Sequence, residues 1–215
     1  MITVLWQDSA FIAVDKPSGL AVHRGMCTDA VTALDLVRDA AGQWVYPVHR
    51  LDRATSGVLL FALSSEAARA LQEKFEGGGV TKRYLALVRG VAPDCGSIDH
   101  AIPRSEGGPR VAAFTTFRRL WSGAHVSLVE AHPRTGRFHQ VRRHMKHIHH
   151  PVIGDSNYGK GALNRAYRDE YGLGRLALHA ASIAFAHPLS GEEVTITADL
   201  PDDLKQPFER IGVVT

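Results

Sequence analysis

The 215-residue chain has only two cysteines, Cys27 and Cys95, and they fall in no metal or redox spacing. That excludes a disulfide framework and fits a reducing cytosol. No apolar run approaches the roughly 20 residues that a membrane span needs, so no membrane partner is expected. The N-terminal MITVLWQDSAF has neither a basic region nor a long apolar stretch. No secretory signal is visible there, and the expected location is cytoplasmic. The glycine patterns of phosphate-binding and dinucleotide-binding loops are missing, so no nucleotide cofactor is expected. There is no internal repeat and no low-complexity linker. A further absence is local. Between Glu130 and Asp155 the chain carries no acid, although Arg134, Arg137, Arg142, Arg143 and Lys146 all lie there, with His139, His144, His147, His149 and His150 among them.

A formal charge of +3 is mild. An unbalanced cationic stretch inside an otherwise balanced chain is nevertheless a local field suited to an anionic partner. The competing explanation is a solvated charged face, which more often alternates signs. A metal site is not expected. On a helix His144 and His147 would be neighbours, but Arg142, Arg143 and Lys146 would repel a divalent cation with no carboxylate to offset them.

Patterning predicts an α+β fold. ITVLW and FIAVD read as strands around the turn Gln7-Asp8-Ser9, and Pro17 and Gly19 end the second. Thr28 is the expected cap of a helix over 29–41, with Val31, Leu34, Val37 and Ala41 on one face. VLLFAL reads as a strand buried on both faces. Ser64 or Ser65 starts a second helix through Phe75, stopped by three glycines. KRYLALVRG alternates as a strand, and further strands are expected near 97–102, 111–120 and 125–131. A helix is expected over 138–148, and LALHAASIAFAH and EVTITADL read as a hairpin. Residues 1–215 are expected to form one domain on a mixed, largely antiparallel sheet flanked by helices.

The stretch HRLDRATSG, residues 49–57, puts Asp52 between Arg50 and Arg53 on a loop beside a buried strand. Rigidly mounted loops often present reactive groups. A carboxylate beside arginines favours its ionised form, which suits a nucleophile and not a general acid. A surface ion pair, worth about 0–1 kcal/mol, accounts for the same residues equally well. Local chemistry does not choose between them.

HRLDRATSG resembles the H-R-L-D-x-x-T-S-G motif of the RluA family of pseudouridine synthases. VDKPSGLAVH, KRYLALVRG, PRTGRFHQVRRHMKHIHHPVIGDSNYG and LALHA resemble that family's other motifs, in family order, over nearly the whole chain. The resemblance implies the pseudouridine synthase fold and a cofactor-free isomerisation of uridine in RNA. Asp52 would be the catalytic group, as nucleophile toward the ribose or as base in a glycal route. Tyr84 would stack on the target base, and Arg142 would pair with Asp52. Arg50 would fill the helix when the nucleotide flips out. The basic tract, through Arg137, His139, Gln140, Arg143 and Lys146, would contact RNA. HRLDR-x-TSGVLL, SSEAARAL, GDSNYGKGALNR and the lack of an N-terminal accessory RNA-binding domain most resemble members acting on uridine 65 of tRNA. Ribosomal RNA, or both RNAs, is the alternative substrate, and a non-catalytic RNA-binding or folding protein is the alternative class. No obligatory protein partner is evident.

Overall fold

The computed structural model describes residues 1–24, 30–104 and 107–214. In chain order its first elements are β1 (Thr3–Gln7), β2 (Phe11–Lys16), α1 (Ala33–Ala41), β3 (Tyr46–Pro47), β4 (Ser56–Ala62) and α2 (Ser65–Glu76). Next come β5 (Val80–Arg89), β6 (Cys95–Asp99), β7 (Ile102–Pro103), β8 (Arg110–Val111), β9 (Phe114–Ser122) and β10 (Val126–Pro133). The last are α3 (Gln140–His147), α4 (Gly161–Tyr171), β11 (Leu178–Ala186), β12 (Glu193–Thr197) and α5 (Asp202–Ile211). The fold is α+β, and it divides into two compact units: Met1–Thr81 with Ala180–Asp199, and Lys82–His179 with Leu200–Thr215.

In the first unit the strand order is β1-β2-β4-β11, with β12 beside β11 and β3 against β4. Every residue of β4 is buried, as its unbroken apolar run predicts. Antiparallel pairing sets Asp15 opposite Val58 and Lys16 opposite Gly57. That register brings the loop leaving β2 alongside the loop entering β4, the loop that carries Asp52. Phe11, Leu60, Leu71, Val80 and Phe185 belong to one core cluster, with Phe75 packed against it. Ser64 caps α2 by accepting from the Ala67 N–H, as expected. The expected cap at Thr28 lies outside the described residues, and α1 starts later than its pattern suggests. Thr32 and Asp35 form a reciprocal capping box, leaving Val31 outside the helix and exposed.

The second unit is built on the order β5-β10-β9-β6, with β7 and β8 as a separate ribbon. Tyr84 pairs with Ala131, and Ala131 with Phe117, so these three share one face of the sheet. Thr115, two residues from Phe117, receives Gln140 and His144 of α3 on that same face. Helices α4 and α5 have no forecast in the apolar pattern. Pro207 sits inside α5, where a proline ordinarily argues against a helix.

The opposite face of this sheet holds Glu130, whose carboxylate is paired with Arg83, with Arg118 at 3.4 Å and with His132 at 3.1 Å. Burial works against the Glu130 charge, but its hydrogen bonds to Arg83 and His132 prevail and bring its pKa down to about 2. A depressed carboxylate pKa contributes stability that is complete above the unfolded-state value and is lost as pH falls through the folded one. Thermal stability should therefore decline between roughly pH 4.3 and pH 2. Glu130→Gln should lower the melting temperature at neutral pH and flatten that decline. Parallel melting-temperature profiles for the two proteins would refute the assignment.

Candidate active site

The loop bearing Asp52 is fastened by a set of main-chain and side-chain bonds. Lys16 is fully buried, and its ammonium donates to the carbonyls of Pro17 and Leu20 at 2.8 Å each and of Arg53 at 3.1 Å. Gly19 N–H donates to Arg53 O at 2.9 Å, and Arg53 Nε returns a bond to Gly19 O at 2.8 Å. Ser18 Oγ donates to Ala54 O at 2.8 Å, while Thr55 N–H closes a turn on Asp52 O at 3.0 Å. DKPSG is thus a bracket for the Asp52 loop, and Arg53 belongs to that bracket. His49 accepts from Leu60 N–H at 3.0 Å and stacks on Phe75. Gly57 has φ +111°, and a Cβ there would stand 2.2 Å from Ala180 O, so no other residue fits. Asp52 is half-buried and Arg50 is exposed. The motif therefore separates into residues that hold the loop and two that it presents.

Tyr84 and Arg142 belong to the second unit. Tyr84 is half-buried on β5, and Lys82 lies two residues earlier on the same face. Lys82 Nζ donates to Thr135 O at 3.1 Å, and burial pushes its ammonium down to about 8. The loop into α3 is organised by Gln140. Its amide oxygen accepts from Thr135 Oγ1 at 2.6 Å and from Arg137 N at 3.0 Å. Its amide nitrogen donates to Phe114 O at 2.9 Å and Thr115 Oγ1 at 3.0 Å. Gln140, expected at an RNA surface, is instead buried with its amide engaged inside the protein. A polar residue in a basic tract looks like a phosphate contact until its partners are visible.

At the start of α3 His139 adopts the left-handed conformation, φ 54°, a costly state for a residue with a Cβ. It is held there by Phe138, stacked at 3.8 Å, and by Tyr158, whose hydroxyl lies 3.0 Å from Nδ1. The Tyr158 ring also receives Arg142 and Arg143, each at 5.1 Å, and Lys146 at 5.7 Å. Arg137 and Lys146 are exposed, and Arg143 and His139 are half-buried. His144 is buried between Thr115 Oγ1 at 2.9 Å and His100 O at 3.0 Å, so both ring nitrogens are occupied and neither faces a metal. Among the described residues no cluster of histidine, cysteine or carboxylate side chains could hold a metal ion.

Arg142 is buried, with a carboxylate partner that pattern reading missed. Its Nε donates to Asp155 Oδ2 at 2.8 Å and its terminal nitrogen to Oδ1 at 2.9 Å. Burial opposes the Asp155 charge, but the hydrogen bond and positive charge of Arg142, with the N–H groups of Tyr158 and Asn157, hold the carboxyl below its usual range. The visible signal was the tract GDSNYG, whose Asp155 ends the acid-free window.

Known proteins resemble this chain throughout. A protein from Haemophilus ducreyi described as tRNA pseudouridine synthase C is 40% identical over 233 residues, covering 98% of this chain and 96% of its own length. The protein of that name from Haemophilus influenzae is 40% identical over 99% of this chain and 98% of itself. That from Pectobacterium carotovorum is 42% identical over 92% of this chain, which spans only 59% of that longer relative. Among solved structures, human RNA pseudouridylate synthase domain containing 4 superposes with a TM-score of 0.80 at 25% identity, over 98% of this chain and 93% of that one. The family described as RNA pseudouridylate synthase matches residues 10–147, a stretch that runs from β2 through the Asp52 loop and Tyr84 to the end of α3. This chain belongs to the RNA pseudouridylate synthase family.

Proposed function

We propose that the chain isomerises uridine to pseudouridine in tRNA, at uridine 65 of the T stem, with Asp52 as the catalytic group. The C1′–N1 bond breaks, the uracil turns, C1′ bonds to C5, the C5 proton passes to solvent, and N1 takes up a proton in its place. No oxidant or cofactor enters this balance. The observation that carries the reading is the bracketed loop, which fixes the backbone around a half-buried Asp52. Such rigidity supplies the orientation that attack at C1′ or proton removal at C2′ both require. A uridine inside a stem must first be flipped out, at a few kcal/mol. Arg50, exposed on the same loop, fills the gap, and Tyr84 stacks on the extruded base. Arg142 pairs with Asp52 and aims it. Activity on tRNA is supported by the names of the relatives from Haemophilus, and a cytoplasmic location follows from that substrate. Mapping pseudouridine in tRNA and ribosomal RNA from a strain lacking this gene tests it. Loss at tRNA position 65 is expected, and loss confined to ribosomal RNA would overturn the substrate.

Arg50, Arg137, His139, Arg143 and Lys146 form the proposed RNA-contacting set, from which Gln140 is removed. With Arg50 in the stack, Arg137, Arg143 and Lys146 remain as permanent cations against phosphate, so log affinity should fall with log salt at a slope of about −2 to −3, at roughly −0.7 to −0.9 per phosphate. Replacing Arg143 and Lys146 by serine should reduce the slope by about 1.5. A slope unchanged in that variant, read by filter binding between low and moderate salt, would exclude these two from the phosphate contacts.

A further inference from the structure

We propose that Asp155 is a positioning residue for the reaction, one that sets the direction in which Arg142 presents its guanidinium. The proposal rests on the reading above, in which Arg142 acts on the catalytic carboxylate. Asp155 takes Arg142 side-on, through Nε and one terminal nitrogen, at 2.8 and 2.9 Å. A guanidinium is a planar fork with two usable edges, so a side-on partner turns the end-on edge away from itself in a fixed direction. The Tyr158 ring lies 5.1 Å from the same guanidinium and restrains it from another side. The Asp155 side chain is fully buried, and that of Arg142 is 7% exposed. A buried ion pair of this kind is a poor source of net stability, because desolvation offsets the attraction, but it fixes geometry well.

The loop carrying Asp155 is held without help from Arg142. Asn164 Nδ2 donates to Asp155 O at 2.9 Å, and Asn164 Oδ1 accepts from Gly154 N at 3.0 Å. Asp155 Oδ1 also accepts from Asn157 N at 2.9 Å and Tyr158 N at 3.0 Å. Gly154 has φ +78°, and a Cβ there would meet Arg175 O at 1.9 Å. The socket is thus preformed, and α3 delivers Arg142 into it.

Asp155→Asn separates direction from support. Its amide oxygen can keep the two loop N–H bonds, while its NH₂ group would face Arg142 Nε, donor against donor. Turnover on full-length tRNA transcript should fall about 100-fold with KM within about threefold, since misplacing a charged group by an ångström has effects of that order. In an Arg142→Ala background the same change should cost nothing more, because it acts only through Arg142. A folded Asp155→Asn protein with wild-type kcat, or losses that multiply in the double variant, would overturn the proposal. If Asp155→Asn does not fold, Arg142→Lys decides. Lysine can still pair with Asp155 but has no second edge, so kcat should fall as far as in Arg142→Ala. Retention of kcat within about threefold would overturn the directed-edge account. Wild-type turnover in Arg142→Ala itself would instead remove Arg142 from the mechanism, a separate failure.

Discussion

Asp52→Ala should abolish tritium release from tRNA labelled at uracil C5, by a factor of at least about 10⁴, while tRNA affinity stays within about threefold of wild type. The size of the loss follows from removing the group at which bond making begins, which no neighbour replaces. The bonds that shape its loop run from Lys16, Ser18, Gly19, Arg53 and Thr55 to main-chain oxygens. The melting temperature should therefore stay within a few degrees, and binding through the basic tract should persist. Asp52→Asn, which keeps the shape, should be as inactive as the alanine variant. Measurable turnover in either protein would mean that another group starts the reaction. A parallel collapse of stability would mean that the loop depends on the side chain.

In the sequence, the setting of Asp52 among turn residues beside an unbroken apolar strand left a surface ion pair equally open, and only the spacing of the surrounding motifs singled it out. The strand reading held in β4, and the α2 cap fell on Ser64. What fastens the loop was not legible. Lys16 and Ser18 act on carbonyls 37 and 36 residues away, and a bond to a main-chain oxygen leaves no trace in residue type. The same limit hid the partner of Arg142. Asp155 lies 13 residues beyond it, and only the folded socket turns the two toward each other. Gln140 shows the converse: it lies within the basic tract, yet the fold turns its amide inward onto Phe114 and Thr115. Helix α5 escaped because Pro207 contradicts the local rule that its packing overrides.

Arg142→Ala should reduce kcat by about 10²–10³, the range for losing one preorganised charged donor, with KM changed far less. A phosphate contact would behave in the opposite way, raising KM and reducing the salt slope by nearly one. Burial separates the two roles in advance: Arg142 sits at 6% exposure in contact with Asp155, whereas Lys146 on the same helix is exposed. The variant also leaves Asp155 buried without its cation, a state that costs about 3–5 kcal/mol in folding stability. Turnover must therefore be read well below the lowered melting temperature. Adding Asp155→Asn removes the uncompensated charge and should restore part of that stability without restoring turnover. This split is informative because stability and catalysis then move independently. Recovery of both together would assign Arg142 to the fold alone, and a pure affinity loss would assign it to the RNA surface.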